Sequence, residues 1–265
     1  MPETIPPAGA PTFNQAQYDD FLAKSGDVYA RTKYAVLLRW LAARGPGLRV
    51  LNAGCGSGEL SNLLAAAGHK VVGVDPDPTY IQLARDRAGD RFPDSTFVVS
   101  TIEGYTGAAD FDVAVSTDVL EHIEDDRTAF ERMAALVRPG GLVLVTVPAG
   151  QWLFGYHDEQ LGHFRRYNKA MVRRLVSDSC TVQKLRYFGG TLIPVCLAYS
   201  KWLRKPYPVA KVGGGTSLVS RVLNGLLAAE RRVPLPVGTS VLLCAEKKGR
   251  GAPAASQPAT QRRAA

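Results

Sequence analysis

Three glycines at alternating positions, Gly54, Gly56 and Gly58, carry the first chemical signal in the chain. They lie in VLNAGCGSGEL, where an apolar run gives way to a helical pattern. A loop without Cβ atoms can bend sharply and let a ligand approach its backbone, as in nucleotide cradles at strand-to-helix turns. Asp75 closes the next apolar run, KVVGVD. In an open α/β sheet that position sets a carboxylate beside the cradle, where it can accept hydrogen bonds from ribose hydroxyls. The competing role for Asp75, capping the following helix, is one that Asp77 can fill. A dinucleotide fingerprint needs a small residue three positions after its second glycine, and Glu59 stands there instead, which argues against a dinucleotide. Further along, His122, His157 and His163 are proton acceptors near neutrality, because an unperturbed imidazole titrates at ~6.5. Arg165 and Arg166 offer planar, forked donors suited to an anionic group. The spacing of His157, Asp158, Glu159 and His163 matches no familiar zinc motif, and no metal is assigned.

Positioning these groups requires alternating strands and helices. Apolar and aromatic residues at helical spacing over 16–43, ending at Gly45-Pro46-Gly47, predict two N-terminal helices. Strands are predicted at 48–53, 70–75, 96–100, 111–116 and 142–147, with helices at 59–67, 77–88 and 127–138 between them. Such alternation implies parallel pairing by right-handed crossovers. Pro139-Gly140-Gly141 is read as the turn from the last of these helices into its strand. After Pro148 the aromatic and charged stretch QWLFGYHDEQLGHFRRYN predicts an insertion above the sheet. It is followed by a helix at 168–178 and strands at 181–188 and 238–246. Residues 191–203 are apolar but short of the ~20 a bilayer span needs, which leaves a buried lid helix or an interfacial one flanked by basic residues.

The order of these segments adds a resemblance. VLNAGCGSG resembles motif I of the class I S-adenosylmethionine-dependent methyltransferases, an acidic residue and one spacer before GxGxG, with Asn52 in the acidic place. FDVAVSTDVLEHIEDD resembles the family's fourth-strand motif with its Leu-Glu-His signature, and VRPGGLVLVTVP its fifth strand. HDEQLGHFRRYN is similar to the segment after the fifth strand in a bacterial small-molecule branch. The resemblance implies a doubly wound, mostly parallel seven-stranded Rossmann-like α/β sheet with N-terminal helices and an inserted helical lid. It implies S-adenosylmethionine contacts from Asn52, Ala53, Gly54, Cys55, Gly56, Asp75, Pro76 and Thr117, with Thr101 and Ile102 flanking the adenine. The acceptor side would hold His122, His157, Asp158, His163, Arg165, Arg166 and Tyr167. The implied reaction is methyl transfer to O, N or C of a small or lipid-linked, anionic acceptor. Two other readings stay open: an NAD-dependent oxidoreductase and a noncatalytic S-adenosylmethionine-binding module.

Composition frames these expectations. With 46% hydrophobic and 21% charged residues, the chain reads as a globular protein rather than a disordered or membrane-spanning one. The organisation expected is a flexible segment at 1–15 and a methyltransferase domain at 16–246, followed by a disordered tail at 247–265. Within the domain, 48–148 would form the cofactor core and 149–235 the substrate insertions. The start of the chain lacks the basic-then-apolar pattern of a signal peptide, so a cytoplasmic location is expected, peripheral to a membrane if 191–205 makes contact. Residues 1–150 hold 13 Lys and Arg against 19 Asp and Glu, whereas 151–211 hold 11 against 3. The basic excess therefore sits beyond the cradle, where it would favour an anionic acceptor or membrane surface. Nucleic acid is disfavoured, because no Asn-Pro-Pro-aromatic motif follows the fourth strand and the basic tail is generic. Cys55, Cys180, Cys196 and Cys244 form no CxxC pair and are expected to be core thiols. Oligomeric state has no signature in the sequence.

Overall fold

Apolar runs that must be buried on both faces become parallel strands. Arg49–Ala53 (β1), Lys70–Asp75 (β2), Thr96–Val99 (β3), Phe111–Thr117 (β4) and Val137–Pro148 (β5) pair in parallel. Cys180–Phe188 (β6) and Ser240–Lys247 (β7) complete a seven-stranded sheet of order 3-2-1-4-5-7-6, with β7 antiparallel to both neighbours. The computed structural model describes residues 28–205 and 218–249. The expected flexible start, the first expected helix and most of the expected tail lie outside the described residues. Lys247, placed at the start of that tail, ends β7.

Strand order reverses beside β1: β2 and β3 lie to one side, β4 and β5 to the other. A crevice opens outside the carboxyl ends of the strands at such a switch point, and open α/β sheets bind their ligands there. Helices cover both faces of the sheet. The Val28–Ala42 helix (α1) places Leu37 and Leu41 against Val50, Val71 and Val113, together with Leu60 and Leu64 of Glu59–Ala66 (α2). Opposite, Asp126–Leu136 (α4) buries Ala129, Phe130, Met133 and Ala134 against Leu51, Ala114, Val143 and Val145. Pro78–Ala88 (α3) follows β2 and begins at Asp77, whose carboxylate accepts from the N–H groups of Thr79 and Tyr80. Asp125 caps α4 in the same way through the Thr128 N–H. These caps satisfy donors that a helix start otherwise leaves orphaned, each typically contributing ~1 kcal/mol.

Two local features differ from the sequence expectation. Pro139-Gly140-Gly141 lies within β5 as an irregularity rather than before it: Val137 pairs with Phe111, and Leu142 then pairs with Val113. Gly140 supplies the positive φ of 78° that this bulge uses. The apolar run after β6 forms a short helix, Ile193–Cys196 (α7), that continues as a π-helix over Leu197–Leu203. No helix among the described residues is long and apolar enough to cross a membrane.

The insertion also contains Tyr156–Leu161 (α5), Lys169–Leu175 (α6) and Leu218–Glu230 (α8). The buried Glu230 carboxylate accepts from the N–H groups of Gly189, Gly190 and Thr191, fastening the start of the lid to the end of α8.

Candidate active site

The glycine cradle is held by its own backbone and by β2. The N–H groups of Gly54 and Cys55 both donate to the Val74 carbonyl, at 2.8 and 3.0 Å, and the Gly58 N–H donates to the Cys55 carbonyl at 3.0 Å. Gly54 has φ of 69°, and a Cβ built there would lie 2.3 Å from Val119 Cγ2. Both conformation and space therefore exclude a side chain. Ala53 and Cys55 are buried, and burial pushes the Cys55 thiol well above its ordinary range, so it packs as a small apolar group.

Asp75, only 6% exposed, braces this loop. Its Oδ2 accepts from the Gly56 N–H at 2.9 Å and its Oδ1 from the Asp77 N–H at 3.0 Å. Each oxygen keeps a second lone pair. Burial pushes the carboxyl up to about 6, against the backbone hydrogen bonds that favour its charged form. Asp77 does the helix capping, which leaves Asp75 to brace the loop. Pro76, next in sequence, is exposed.

Asn52 is buried in β1; its Nδ2 donates to Ser61 Oγ at 2.9 Å, while its Oδ1 has no hydrogen-bond partner among the described residues. Thr101 is exposed just beyond β3, and its Oγ1 accepts from the Gly104 N–H at 3.0 Å. Ile102 is buried in the core with Val74 and Tyr105. Thr117 is half-buried at the end of β4. Asp118 follows with φ of 55°, a left-handed conformation that costs a non-glycine residue on the order of 1 kcal/mol. Its carboxylate pairs with Lys33 of α1 and accepts from Thr146 Oγ1 at 3.2 Å. Lys33 is 2% exposed and was not expected in the site; its one sequence signal is a charge at helical spacing among Ala30, Val36 and Leu37.

The second half of the site hangs from β4 through Val119. Leu120–His122 forms a single 3-10 turn in which Glu121 is fully buried and His122 half-buried. The Phe164 N–H donates to the Glu121 carbonyl at 2.9 Å, bringing His163 alongside. The His122 and His163 rings meet edge to face with centroids 4.6 Å apart. Asp158, fully buried in α5, accepts from His163 Nδ1 at 2.8 Å, Arg166 Nε at 2.7 Å and the Gly155 N–H at 3.0 Å. Burial opposes its ionisation, yet the His163 hydrogen bond and the Arg166 guanidinium outweigh that and hold the carboxyl at about 2. His157 is half-buried on the same short helix. Ligand atoms of Glu121, His122 and His163 all lie within 4.8 Å of one another, a grouping compatible with a metal ion.

Three residues expected on the acceptor side have partners within the chain. Arg166 is buried and its Nε donates to Asp158. Arg165 is engaged by the Asp126 carboxylate at 2.7 Å and the Glu124 carbonyl at 2.8 Å. Tyr167 is a core residue whose hydroxyl donates to Asp126 Oδ2 at 2.7 Å; burial and that carboxylate raise its pKa far above the ordinary range. Motif spacing alone could not separate these internal pairs from open pocket groups, because the partner carboxylates come from α4 and α5.

Comparison with known proteins bears on the family and the fold. A family model described as "Methyltransferase domain" matches residues 27–184. A ubiquinone biosynthesis O-methyltransferase of Methylocella silvestris is 43% identical over 98 residues, covering 37% of this chain and 38% of the relative. One from a Methylobacterium species is 39% identical over 97 residues, covering 36% and 39%. The chain thus spans about two fifths of the length of these curated relatives. Among solved structures, the N-methyltransferase NodS of Bradyrhizobium japonicum with S-adenosyl-L-homocysteine aligns at a TM-score of 0.57 and 18% identity, covering 89% of this chain and 93% of that one. Phosphoethanolamine N-methyltransferase 2 of Haemonchus contortus with S-adenosyl-L-methionine aligns at 0.56 and 18% identity, covering 82% and 52%. At that identity the structural likeness speaks for the fold. A dinucleotide-dependent oxidoreductase is set aside by the family match. The chain belongs to the methyltransferase-domain family and has the fold of the class I S-adenosylmethionine-dependent methyltransferases.

Proposed function

We propose that this protein methylates a hydroxyl oxygen on a small, lipid-linked acceptor, using S-adenosylmethionine held at the glycine cradle. The observation that carries the reading is the junction at Val119. Val119 packs on Gly54 of the cradle and is followed at once by the turn bearing Glu121 and His122. A methyl donor on the cradle and a proton-accepting cluster thus share one sheet edge. The residues fit the donor: the second lone pairs of Asp75 suit ribose hydroxyls, and the Asn52 Oδ1 is a buried acceptor awaiting a donor. Leaving such an acceptor unsatisfied costs about 1–3 kcal/mol, which a hydrogen-bond donor of the ligand would offset. Ala53, Gly54, Cys55 and Gly56 supply the cradle backbone, Pro76 follows the carboxylate, and Thr101, Ile102 and Thr117 border the site.

When bound, S-adenosylmethionine supplies a methyl group already activated on a sulfonium. What remains for the chain is to align the acceptor oxygen, exclude water and take a proton. Asp158 fixes the tautomer of His163 by accepting from its Nδ1, so Nε2 is the free acceptor position of a neutral ring. His122 lies edge-on beside it and His157 is one residue from Asp158. Hydroxyl transfer is favoured over amine transfer because an amine needs little base help, whereas this cluster is built around oriented imidazoles. The names of the curated relatives point the same way.

A lipid-linked acceptor is supported by the exposed apolar residues of the insertion. Trp202 is 78% exposed and Leu203 is exposed beside it, between Lys201 and Arg204-Lys205; Trp152 and Phe164 are exposed elsewhere in the insertion. Apolar side chains rimmed by basic ones suit an amphipathic substrate at an anionic bilayer surface. This is also the reading for peripheral membrane contact through 191–205. The test is transfer of labelled methyl from S-adenosylmethionine to a panel of polyprenyl phenols and water-soluble phenols, with products identified by mass spectrometry. A methyl ether formed preferentially on the lipid-linked phenols is expected. Labelled N-methyl products only, or cofactor binding without turnover on any acceptor, would overturn the proposal, the latter in favour of a noncatalytic module.

A further inference from the structure

From the convergence of Glu121, His122 and His163 we infer that this protein holds one divalent first-row transition-metal ion, with zinc the best match, at the acceptor edge of its site. The sequence spacing of His157, Asp158, Glu159 and His163 gave no metal motif; the fold instead joins His163 to a turn formed some forty residues earlier. Their ligand atoms lie within 4.8 Å of one another, with His163 Nε2 4.0 Å from Glu121 Oε1. Ligands around a zinc ion stand ~2.0–2.2 Å from it, so the three need to close by about 1 Å. That is within the reach of side-chain rotation.

A second, independent observation points to a ligand. Arg166 Nε and the Gly155 N–H can only donate, so Asp158 is an acceptor toward all its neighbours, His163 Nδ1 included. The Nε2 lone pair of a neutral His163 is therefore directed away from Asp158, toward Glu121. A carboxylate fixing the far nitrogen of an imidazole is the arrangement that orients metal-ligating histidines and raises their basicity. The Phe164 N–H bond to the Glu121 carbonyl locks the two contributing segments together at 2.9 Å. Two imidazoles and one carboxylate suit zinc, manganese, iron or cobalt in the divalent state and leave coordination positions open.

The binding claim stands by itself; the role given to the ion rests on the methyl-transfer reading. With the ion bound, His122 and His163 serve as its ligands in place of proton acceptors, and an acceptor hydroxyl placed on the ion loses its proton to solvent more readily. The oxygen lone pair then forms the C–O bond, and the C–S electron pair leaves with the sulfur, giving a methyl ether and S-adenosylhomocysteine.

The chain has four histidines, which makes the test clean. Full-length protein stripped with chelator is titrated with Co²⁺ alone by visible absorption and with Zn²⁺ alone by calorimetry. S-adenosylhomocysteine binding is measured on every sample as an independent check of fold. One equivalent is expected, with the d–d spectrum of nitrogen and oxygen ligation. Glu121→Gln and His163→Gln should each weaken affinity at least ~100-fold while cofactor binding persists, and His69→Gln and His157→Gln should keep the full equivalent. Absence of a cobalt spectrum in the wild-type protein would overturn the site, even if a variant failed to fold. So would a thiolate spectrum, or metal binding unchanged in the Glu121 and His163 variants. Failure of cofactor binding with an intact metal equivalent would instead strike the methyl-transfer reading.

Discussion

Burial makes Asp75 a source of pH-dependent stability. Its folded pKa, about 6, lies above the ordinary 3.8, so its favourable contribution is complete below 3.8 and is lost as pH rises through about 6. Above that window the buried charge costs on the order of 3 kcal/mol, since each pKa unit is about 1.4 kcal/mol. Asp75→Asn removes the charge but also a backbone hydrogen bond, so unfolding free energy at pH 7.5 should stay within about 2 kcal/mol of wild type. Its affinity for S-adenosylhomocysteine should fall about 10–100-fold, the worth of one or two charge-assisted hydrogen bonds. In wild type that affinity should rise as pH passes upward through about 6, and calorimetry across that range should find it flat in the variant. Arg166 makes the opposite case. Arg166→Met leaves the buried Asp158 without its main counter-charge and should cost about 3–5 kcal/mol in urea unfolding. A variant with unchanged stability and only a raised acceptor KM would restore the anion-holding role. The glycine loop and its bracing by Asp75 were readable because they rest on backbone conformation and strand position, which local sequence encodes. The partners of Arg165, Tyr167 and Lys33 were not, because Asp126 and Asp118 are distant in sequence, and the pairing of Arg166 with Asp158 eight residues earlier was not, because it depends on how the intervening loop folds back.

At the scale of elements, the strand-to-helix unit from β1 to α2 is the most constrained. Gly54→Ala must place a Cβ against Val119 while holding φ of 69°. It should therefore lower stability by about 1–3 kcal/mol and reduce cofactor affinity together, because relief requires the loop to move. Calorimetry paired with thermal unfolding distinguishes this from a pure binding defect, and full cofactor affinity in the variant would show that the loop is not the cradle. The central strands were legible because burial on both faces leaves continuous apolar runs, and Asp77 marks the start of α3. The Pro139-Gly140-Gly141 segment was misplaced because a turn and a bulge use the same residues; pairing with Phe111 decides between them, and that contact is nonlocal. The short α5 was hidden for a similar reason, since Asp158, a polar residue at its buried face, is paired with His163 and Arg166 of the loop that follows.

The whole molecule divides its labour across the carboxyl edge of one sheet. The acidic first half holds the glycine loop, and the basic insertion exposes Trp202 and Leu203. Trp202→Ala should reduce sedimentation with anionic lipid vesicles and leave cofactor affinity unchanged; equal sedimentation would remove the insertion as a membrane-facing surface. The sheet order 3-2-1-4-5-7-6 makes this division possible, since the switch between β1 and β4 brings Gly54 and Val119 into contact. The central claim is that this contact unites a methyl-donor site with an acceptor site. Isothermal calorimetry of the full-length protein with S-adenosylhomocysteine tests it most directly. One site per chain is predicted, with affinity sharply reduced in Asp75→Ala. Folded protein that evolves no binding heat with either S-adenosylhomocysteine or S-adenosylmethionine would contradict it.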